Sequence, residues 1–379
     1  MRVLYWTQLF WPHIGGVEVL AAEFLPAMRE RGYEFVVVTS HGGLDLPDEG
    51  EYRGIPIYRF PFQAALSRRD VDQLVTTLHR IGRLKRAFRP DLVHVNLSDP
   101  SVFFHLHSSA VHAAPVLITV SVALPTGQTV GQPETLLGQT FRAASWVNAN
   151  SAAMLRDAHR LVPEIVRRSS VIYNGLRTPD RPPAPLPFQP PLLLCLGRIV
   201  EDKGFDVALN AFPAVVKHFP RVLLRVAGDG PARPALEHQA ARLGLAHAVQ
   251  FTGWVVPERV PELINDATIV VVPSRWQEAF SLVALQAAQM ARPVVGTRVG
   301  GLPEVVVHGE TGMLVDNEDS RALAAAIASL LDSRQRAETM GLAGRARAQR
   351  LFSWERHITA YDQLYRKLIS EAKQGGLSC

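Results

Sequence analysis

Short apolar runs alternate along this 379-residue chain with segments of helical period, and this alternation limits the fold more than any other feature. The runs are rich in valine, isoleucine and leucine and lack polar alternation, as in strands that are covered on both faces of a parallel sheet. Seven runs precede residue 176 and six follow residue 190. The sequence therefore predicts an α/β protein with doubly wound, Rossmann-like sheets.

A proline-rich segment at 177–191, RTPDRPPAPLPFQPP, interrupts the alternation. Proline lacks the backbone donor that helices and sheets need, so we expect a linker there. The chain also exceeds the ~250 to 300 residues at which single cores stop growing. We predict a first domain over 1–180 and a second over 190–354.

Composition narrows the class of protein. Hydrophobic residues make up 47% and charged residues 20%, as in globular proteins and unlike disordered or fibrous chains. The first residues lack a secretory leader and no apolar run approaches the ~20 residues of a membrane span, so we expect a cytoplasmic protein. The two cysteines, Cys195 and Cys379, provide neither a disulfide framework nor a Cys-rich zinc site.

The formal net charge of +5 is spread along the chain. No basic platform interleaved with aromatic residues is present, so we do not expect nucleic acid as a partner. The densest basic stretch, LHRIGRLKRAFR at 78–89, is either the solvated face of a packing helix or a helix that lies on anionic lipid at the inner face of a membrane. We take the solvated face as the default and keep peripheral membrane contact as the alternative.

Residues just past the strands are candidates for a site, because open parallel sheets bind ligands beyond the carboxyl ends of their strands. After the first strand, Gly15 and Gly16 permit close backbone approach and lead into a helix start that attracts anions, although a tight turn would also select them. After the first strand of the second domain, GRIVEDKG places Arg198 and Lys203 five residues apart. Two cations at a strand end are suited to binding a diphosphate. The alternative is that both residues are surface charges that bind no ligand.

Further glycines follow the next two strands of the second domain. Gly228 lies in AGDGP, and Gly253 precedes Trp254 in FTGW. Turn chemistry alone would account for these glycines. Their common position is nevertheless the sheet edge that also carries Arg198, so we include them in the candidate site.

The stretch SRWQEAFSLVALQ follows the run TIVVVPS and places Glu278 just before a helix. Backbone amides at the start of that helix form a second candidate phosphate seat. They belong to Phe280, Ser281, Leu282 and Val283. Gln286 lies eight residues past Glu278, a spacing that suits the two ends of one elongated ligand.

Six segments occur in an order typical of one enzyme family: GGVE, LGRIVEDKGFDVALNAF, AGDGP, FTGWV, VVVPSRWQEAFSLVALQAAQMARPVVGTRVGGLPEVVVHGETGMLV and FSWERHITAYDQLY. Together they resemble the retaining glycosyltransferases of family 4, which have the GT-B fold. The resemblance implies two Rossmann-like domains that face a central cleft. It also implies that the second domain binds the donor nucleotide, that the first meets the acceptor, and that a last helix of about 355–379 completes the first domain.

The resemblance also implies roles for individual residues. Arg198 and Lys203 would hold the donor diphosphate, Gly16 would approach it, and Glu278 would lie near the transferred sugar. Gln286 stands where the family usually has a second glutamate that binds the ribose hydroxyls, and an amide can accept from one hydroxyl and donate to the other. The implied activity is hexosyl transfer, with retention, from a UDP- or GDP-sugar.

No metal or other cofactor is expected. Fixed cations and helix amides can stabilise the leaving diphosphate, and the strand-end motifs of the second domain contain no Asp-x-Asp signature of metal-dependent transferases. The acidic run DNED at 316–319 follows a strand, and we expect it to cap the next helix.

Three positions depart from the family pattern. Ser281 and Ala291, the latter followed by Arg292, stand where glycine is usual. Ser121 stands where the first domain usually has a histidine near the sugar.

Two alternatives remain open from the sequence. One is a sugar-nucleotide epimerase on the same scaffold, and the other is a nucleotide-sugar-binding protein with impaired catalysis. The acceptor is equally open among a glycan, a lipid-linked sugar and a small molecule.

Overall fold

The computed structural model describes residues 1–67, 70–97, 101–127, 129–276 and 278–375. Contacts between Cα atoms divide the chain into two compact units. Unit 1 comprises Met1–Tyr173 and Glu355–Cys379, and unit 2 comprises Asn174–Trp354. Cys379 and the end of the expected final helix, 376–379, lie outside the described residues.

The strands described in unit 1 are β1 (Arg2–Trp6), β2 (Glu34–Ser40), β3 (Glu49–Tyr52), β4 (Ile55–Phe60), β5 (Leu92–Leu97), β6 (Val116–Val120), β7 (Trp146–Ala149) and β8 (Ser169–Val171). They form one sheet in the order β3-β4-β2-β1-β5-β6-β7-β8. All neighbours are parallel except β3 and β4, which are antiparallel. Each of the seven predicted runs overlaps one of the other strands, whereas β3 was not predicted.

The helices described between these strands are α1 (Gly16–Glu30), α2 (Phe62–Ser67), α3 (Val71–Phe88), α4 (Val102–His107), α5 (Leu136–Ala143) and α6 (Ala152–Leu161). The basic stretch at 78–89 therefore lies on α3 and its end. On one face of α3 the side chains of Thr77, Ile81 and Lys85 are buried. On another face, those of His79 and Arg83 are exposed. This helix packs on unit 1 and presents a basic face to solvent.

The strands of unit 2 are β9 (Leu192–Leu196), β10 (Leu223–Ala227), β11 (Val249–Gly253), β12 (Ile269–Val272), β13 (Val294–Thr297) and β14 (Gly312–Val315). They form a wholly parallel sheet in the order β11-β10-β9-β12-β13-β14. All six predicted runs are strands. With the sheet of unit 1, this arrangement confirms the α/β prediction. The order reverses between β9 and β12, and such a switch point opens a crevice beyond the strand ends.

The helices described in unit 2 are α7 (Phe205–His218), α8 (Arg233–Arg242), α9 (Val260–Asn265), α10 (Leu282–Gln289), α11 (Leu302–Val305), α12 (Ser320–Leu331) and α13 (Arg334–Leu351). The core on one side of the sheet includes strand residues such as Leu193 and Val271 and helix residues such as Phe212 and Ile327. Apolar helix residues thus cover a sheet whose central strands, β9 and β12, are almost wholly buried.

The last helix, α14 (Trp354–Gly375), belongs to unit 1 from Glu355 onward. Apolar residues at helical spacing bury one face of it, with Ile358, Tyr361, Leu364 and Leu368. A buried hydrogen bond also orients the helix, since Nδ1 of His94 on β5 bonds the hydroxyl of Tyr365. The helix is therefore held to its unit by both apolar and polar contacts.

The proline-rich segment is fastened within unit 2. The backbone N–H of Ala184 donates to Asn265 Oδ1 at 2.9 Å, and Arg292 Nη1 donates to the carbonyl oxygen of Ala184 at 2.9 Å. Arg292 is 1% exposed, and burial lowers the pKa of its guanidinium to about 10. This residue, one of the departures from the family pattern, thus ties the segment to the end of α9.

Candidate active site

The strongest candidate residues follow the two strands at the switch point of unit 2. Arg198 and Lys203 lie between β9 and α7, and Glu278 lies between β12 and α10. Because β9 and β12 are adjacent and parallel, their carboxyl ends meet at one edge of the sheet. Residues 75 positions apart in the chain are thereby brought into contact.

Lys203 and Glu278 form the centre of this site. The ammonium Nζ of Lys203 donates to Glu278 Oε1 at 3.0 Å and to Oε2 at 2.8 Å. The hydroxyl of Ser274 donates to the same Oε2 at 2.8 Å. The Glu278 side chain is 14% exposed and that of Lys203 is 29% exposed. A carboxylate is therefore oriented by one cation and one hydroxyl, and part of each charged group still faces solvent.

The backbone of Glu278 is fixed from a third strand end. Its carbonyl oxygen accepts from the N–H of Gly301 at 2.7 Å. Gly300 has φ +53°, and a Cβ there would collide with the same carbonyl oxygen. Only glycine both adopts this positive φ readily and lacks the Cβ that would collide. Ser274, Gly300 and Gly301 are residues that sequence analysis missed, although the GG pair after β13 is a signal that could have indicated them.

Arg198 and the predicted glycines lie along the adjacent strand ends. The N–H of Gly228, after β10, donates to the carbonyl oxygen of Gly253 at 2.8 Å. Trp254 follows with 51% of its surface exposed. Arg198 is exposed too, and within the described residues it makes no ion pair. These residues lie at neighbouring strand ends of the sheet, and among the described residues no hydrogen bond or ion pair between side chains joins them to the Lys203 and Glu278 pair.

The start of α10 was predicted as a seat for phosphate. The backbone N–H groups of Leu282 and Val283, in its first turn, have no carbonyl acceptor within the helix. Ser281 is the N-cap, with φ +69°, and its hydroxyl accepts from the N–H of Ala284 at 3.4 Å. The Phe280 ring is buried and packs edge-on against Phe352 at 5.3 Å, so this side chain belongs to the core.

Two glutamines on α10 have different surroundings. Gln289 is buried and donates to the carbonyl oxygens of Leu176 and Arg177 at 3.2 and 3.1 Å, so its role is structural. Gln286 is half-buried, and in the part of the chain that the structure describes its amide has no hydrogen-bond partner. Its two donors and its acceptor are thus available to a ligand.

The predicted glycines of unit 1 lie at the start of α1. Gly15 is the N-cap in an extended conformation, and Gly16 is the first helical residue. The carboxylate of Glu18 lies so close to Gly15 that a Cβ there would meet it. A negative group is therefore already present at this helix start, as the helix dipole favours.

Ser121, in place of the family's histidine, lies after β6 and donates to Asn96 Oδ1 at 2.6 Å. The four histidines nearby in sequence make other contacts. His105 and His107 bond Lys85 and the Phe103 carbonyl oxygen, and His94 and His112 bond Thr119 and the Pro90 carbonyl oxygen. Burial lowers the pKa of both His94 and His105 to about 3, so both rings are neutral at physiological pH. His94 and His105 are therefore structural residues.

The acidic run at 316–319 caps a helix, as expected. Asp319 Oδ1 accepts from the N–H of Ala322 at 2.8 Å at the start of α12. Across the described ranges, no group of three or more histidine, cysteine, aspartate or glutamate side chains is arranged to hold a metal ion. Over the same ranges, no helix combines the length and the apolar character that crossing a membrane requires.

Comparison with known proteins identifies the family. The model of Glycosyltransferase Family 4 matches residues 14–180, and that of Glycosyl transferases group 1 matches residues 190–333. A glycogen synthase of Mycobacterium tuberculosis is 30% identical over 293 residues, which cover 74% of this chain and 69% of that protein. The chain belongs to glycosyltransferase family 4. It is a glycosyltransferase, and membership does not favour the epimerase alternative.

Solved structures share the fold of this chain. Sucrose-phosphate synthase from Thermosynechococcus elongatus has a TM-score of 0.83 and 23% identity, covering 98% of this chain and 99% of that one. Anabaena HepE in complex with UDP-glucose has a TM-score of 0.76 and 22% identity, covering 98% and 100%. At such identities the likeness shows the fold, and the predicted GT-B fold is confirmed.

Proposed function

We propose that this glycosyltransferase moves a hexose from a nucleoside-diphosphate sugar to an acceptor hydroxyl with retention of anomeric configuration. The observation that carries the proposal is the contact between Lys203 and Glu278 at the switch point of unit 2, next to the loop of Arg198. That position is where sheets of this order bind nucleotides. A cation and a carboxylate there match the two charges that develop when a sugar leaves a diphosphate.

Each residue has a distinct electrostatic task. Cleavage of the bond between sugar and phosphate leaves negative charge on the diphosphate and positive character on the anomeric carbon. Arg198, Lys203 and the first amides of α10 stabilise the diphosphate, and Glu278 stabilises the sugar. The leaving phosphate oxygen takes the acceptor proton, which explains the lack of an evident general base in the motif.

Metal independence is part of the proposal. Two side-chain cations and a helix start supply positive charge to the leaving group, so a divalent ion has no necessary task. Full activity in excess chelator would support this part. Loss of activity with EDTA, reversed by magnesium or manganese, would contradict it without affecting the assignment as a transferase.

Nucleotide recognition is assigned to the remaining residues of the rim. The free amide of Gln286 suits the ribose hydroxyls, and the glycines at 228 and 253 with Trp254 suit the rest of the nucleotide. Anabaena HepE was solved with UDP-glucose, so uridine donors are tested first and GDP-sugars second. Gly15 and Gly16 of unit 1 stay a prediction.

The acceptor is proposed only as a hydroxyl compound: a glycan, a lipid-linked sugar or a small molecule. Exposed His79, Arg83 and Arg86 on α3 would suit an anionic membrane at the cytoplasmic face. The solvated face remains the default interpretation of this helix. Salt-sensitive sedimentation with anionic vesicles, absent with neutral vesicles, would favour membrane contact and a lipid-linked acceptor.

A thermal-shift screen of UDP- and GDP-sugars tests the proposed function directly. A donor at 100 times its dissociation constant adds roughly 2.7 kcal/mol to the free energy of unfolding. The donor that binds is then incubated with and without acceptors, and nucleoside diphosphate and anomeric configuration are measured. Binding with neither transfer nor donor hydrolysis would favour the catalytically impaired alternative, and an isomerised nucleotide sugar would favour an epimerase.

A further inference from the structure

We propose that Arg275 is a positioning residue, which holds the turn that carries Lys203 against the loop that carries Glu278. Arg275 lies in the stretch SRWQEAFSLVALQ, but neither its residue type nor the family resemblance gives it a role. The role rests on the proposed function, since it concerns the geometry of the same donor site. Its evidence comes from contacts within unit 2 alone.

Arg275 bonds the backbone of the Lys203 turn at two points. A short 3₁₀ turn spans Glu201–Lys203, between β9 and α7. The backbone N–H of Arg275 donates to the carbonyl oxygen of Asp202 at 2.9 Å, and its Nη1 donates to that of Glu201 at 3.3 Å. Both carbonyls that precede Lys203 in the turn are therefore held by one residue.

The guanidinium of Arg275 is itself anchored on two further elements. Nη2 pairs with Asp206 in the first turn of α7, and Nε pairs with Glu318 in the turn before α12. Asn317 Nδ2 also donates to the backbone carbonyl oxygen of Arg275 at 3.2 Å. The planar fork of a guanidinium can satisfy such divergent partners at once, whereas a lysine ammonium cannot.

The two loops meet with little free space. Gly204, just after Lys203, has φ +63°, and a Cβ there would collide with the carbonyl oxygen of Pro273. Pro273 begins the loop that continues through Ser274 and Arg275 to Glu278. Arg275 thus lies in the chain between Ser274, which contacts the Glu278 carboxylate, and Glu278 itself. It is also hydrogen-bonded to the turn that carries Lys203.

Loss of Arg275 would keep both side chains in the protein but remove the hydrogen bonds that hold the turn of Lys203 to the loop of Glu278. Catalytic groups must be held to a fraction of an ångström, and a misplacement of ~1 Å can cost ~100-fold in rate. We therefore expect Arg275→Ala to reduce kcat/KM for the donor by roughly 10- to 100-fold. Arg275→Lys restores little of this loss because it keeps the charge without the fork.

A double-mutant cycle distinguishes positioning from a separate contribution. If Arg275 acts through Lys203, Arg275→Ala combined with Lys203→Ala is no slower than Lys203→Ala alone. Arg259→Ala is the matched control, because Arg259 forms an exposed pair with Glu262 in the same unit and should match the wild type. Multiplicative losses in the double variant would overturn the positioning role.

Hydrogen exchange provides a readout that does not depend on activity. Arg275→Ala should speed amide exchange over residues 198–206, and peptides of α13 should exchange as in the wild type. Asp206→Asn, which removes one anchor, should show a smaller increase in the same peptides. Unchanged exchange in 198–206 would overturn the inference. If no nucleotide sugar binds the wild type, the proposed function fails, and the exchange result still tests the tether.

Discussion

The ammonium of Lys203 lies 3.0 and 2.8 Å from the two carboxylate oxygens of Glu278, across the switch point of the second sheet. This contact joins the cation assigned to the leaving diphosphate to the carboxylate assigned to the sugar. The two halves of the proposed chemistry are therefore adjacent and can be perturbed separately.

Glu278→Gln should mainly lower turnover. A neutral amide cannot stabilise a cation-like anomeric carbon, so we expect kcat to fall on the order of 100-fold. Binding of the nucleoside diphosphate should not weaken, because the change removes a negative charge near Lys203. Steady-state kinetics and calorimetry measure the two effects. A variant with normal kcat and weakened donor binding would reverse the roles assigned to Glu278 and Gln286.

Gln286 should affect nucleotide affinity instead. Gln286→Ala removes a neutral hydrogen bond to the ribose and should cost ~0.5 to 1.5 kcal/mol in donor binding, with kcat little changed. Gln286→Glu introduces the carboxylate that the family usually has and should alter affinity, with tighter binding as the expected direction. Gln335→Glu, at an exposed position on α13, is the control for charge. Two silent Gln286 variants would show that this side chain only covers a helix face.

Much of this architecture could be predicted because its causes are local. Apolar runs such as LLLC after residue 191 require a covered strand, and sites of parallel sheets lie past the strand ends. By contrast, β3 reads EGEY and gains its place only through antiparallel pairing to β4. No local pattern indicates a strand there.

The contacts that organise the site depend on tertiary structure. Lys203 and Glu278 meet because the strand order places β12 beside β9, and this order is not written in either segment. Ser274 and Arg275 precede Glu278 in the chain, yet their contacts depend on the same arrangement. The position of each residue after a strand could indicate that Lys203 and Glu278 belong to the site. It could not show that they contact each other.

The family's glycine before Pro-Val is replaced at a position where the backbone favours glycine. Ala291 has φ +53°, a left-handed conformation that costs an L-residue roughly 1 to 2 kcal/mol. Ala291→Gly should raise the free energy of unfolding by about 0.5 to 1 kcal/mol after the greater chain entropy of glycine is subtracted. Ala288→Gly, inside α10, is the control and should lower it. Denaturant unfolding compares them, and a destabilised Ala291→Gly would contradict the strain argument.

Lys85 should make stability depend on pH. It is 1% exposed, no carboxylate among the described residues pairs with it, and burial lowers its pKa to about 7. Between that value and the ordinary pKa near 10.4, the unfolded chain binds more protons than the folded one. The stabilising effect of deprotonating Lys85 is therefore gained as pH rises above about 7.

Lys85→Met should remove this gain and raise the free energy of unfolding at pH 7 by an amount on the order of a few kcal/mol. Unfolding measured from about pH 7 to 9 stays below the titration of ordinary tyrosines. Lys217→Met, on the exposed side of α7, is the control and should keep the wild-type slope. An unchanged slope in Lys85→Met would show that Lys85 is not the group responsible.

We propose that the strand-end cations of unit 2, Arg198 and Lys203, bind the donor diphosphate. Calorimetric titration of the wild type, Arg198→Ala and Lys203→Ala with the nucleoside diphosphate of the donor tests it most directly. Each loss of a charge-assisted contact should cost ~1.5 to 3 kcal/mol, which weakens Kd by roughly 10- to 150-fold, while Tm without ligand stays close to that of the wild type. Wild-type affinity in both variants would contradict the account.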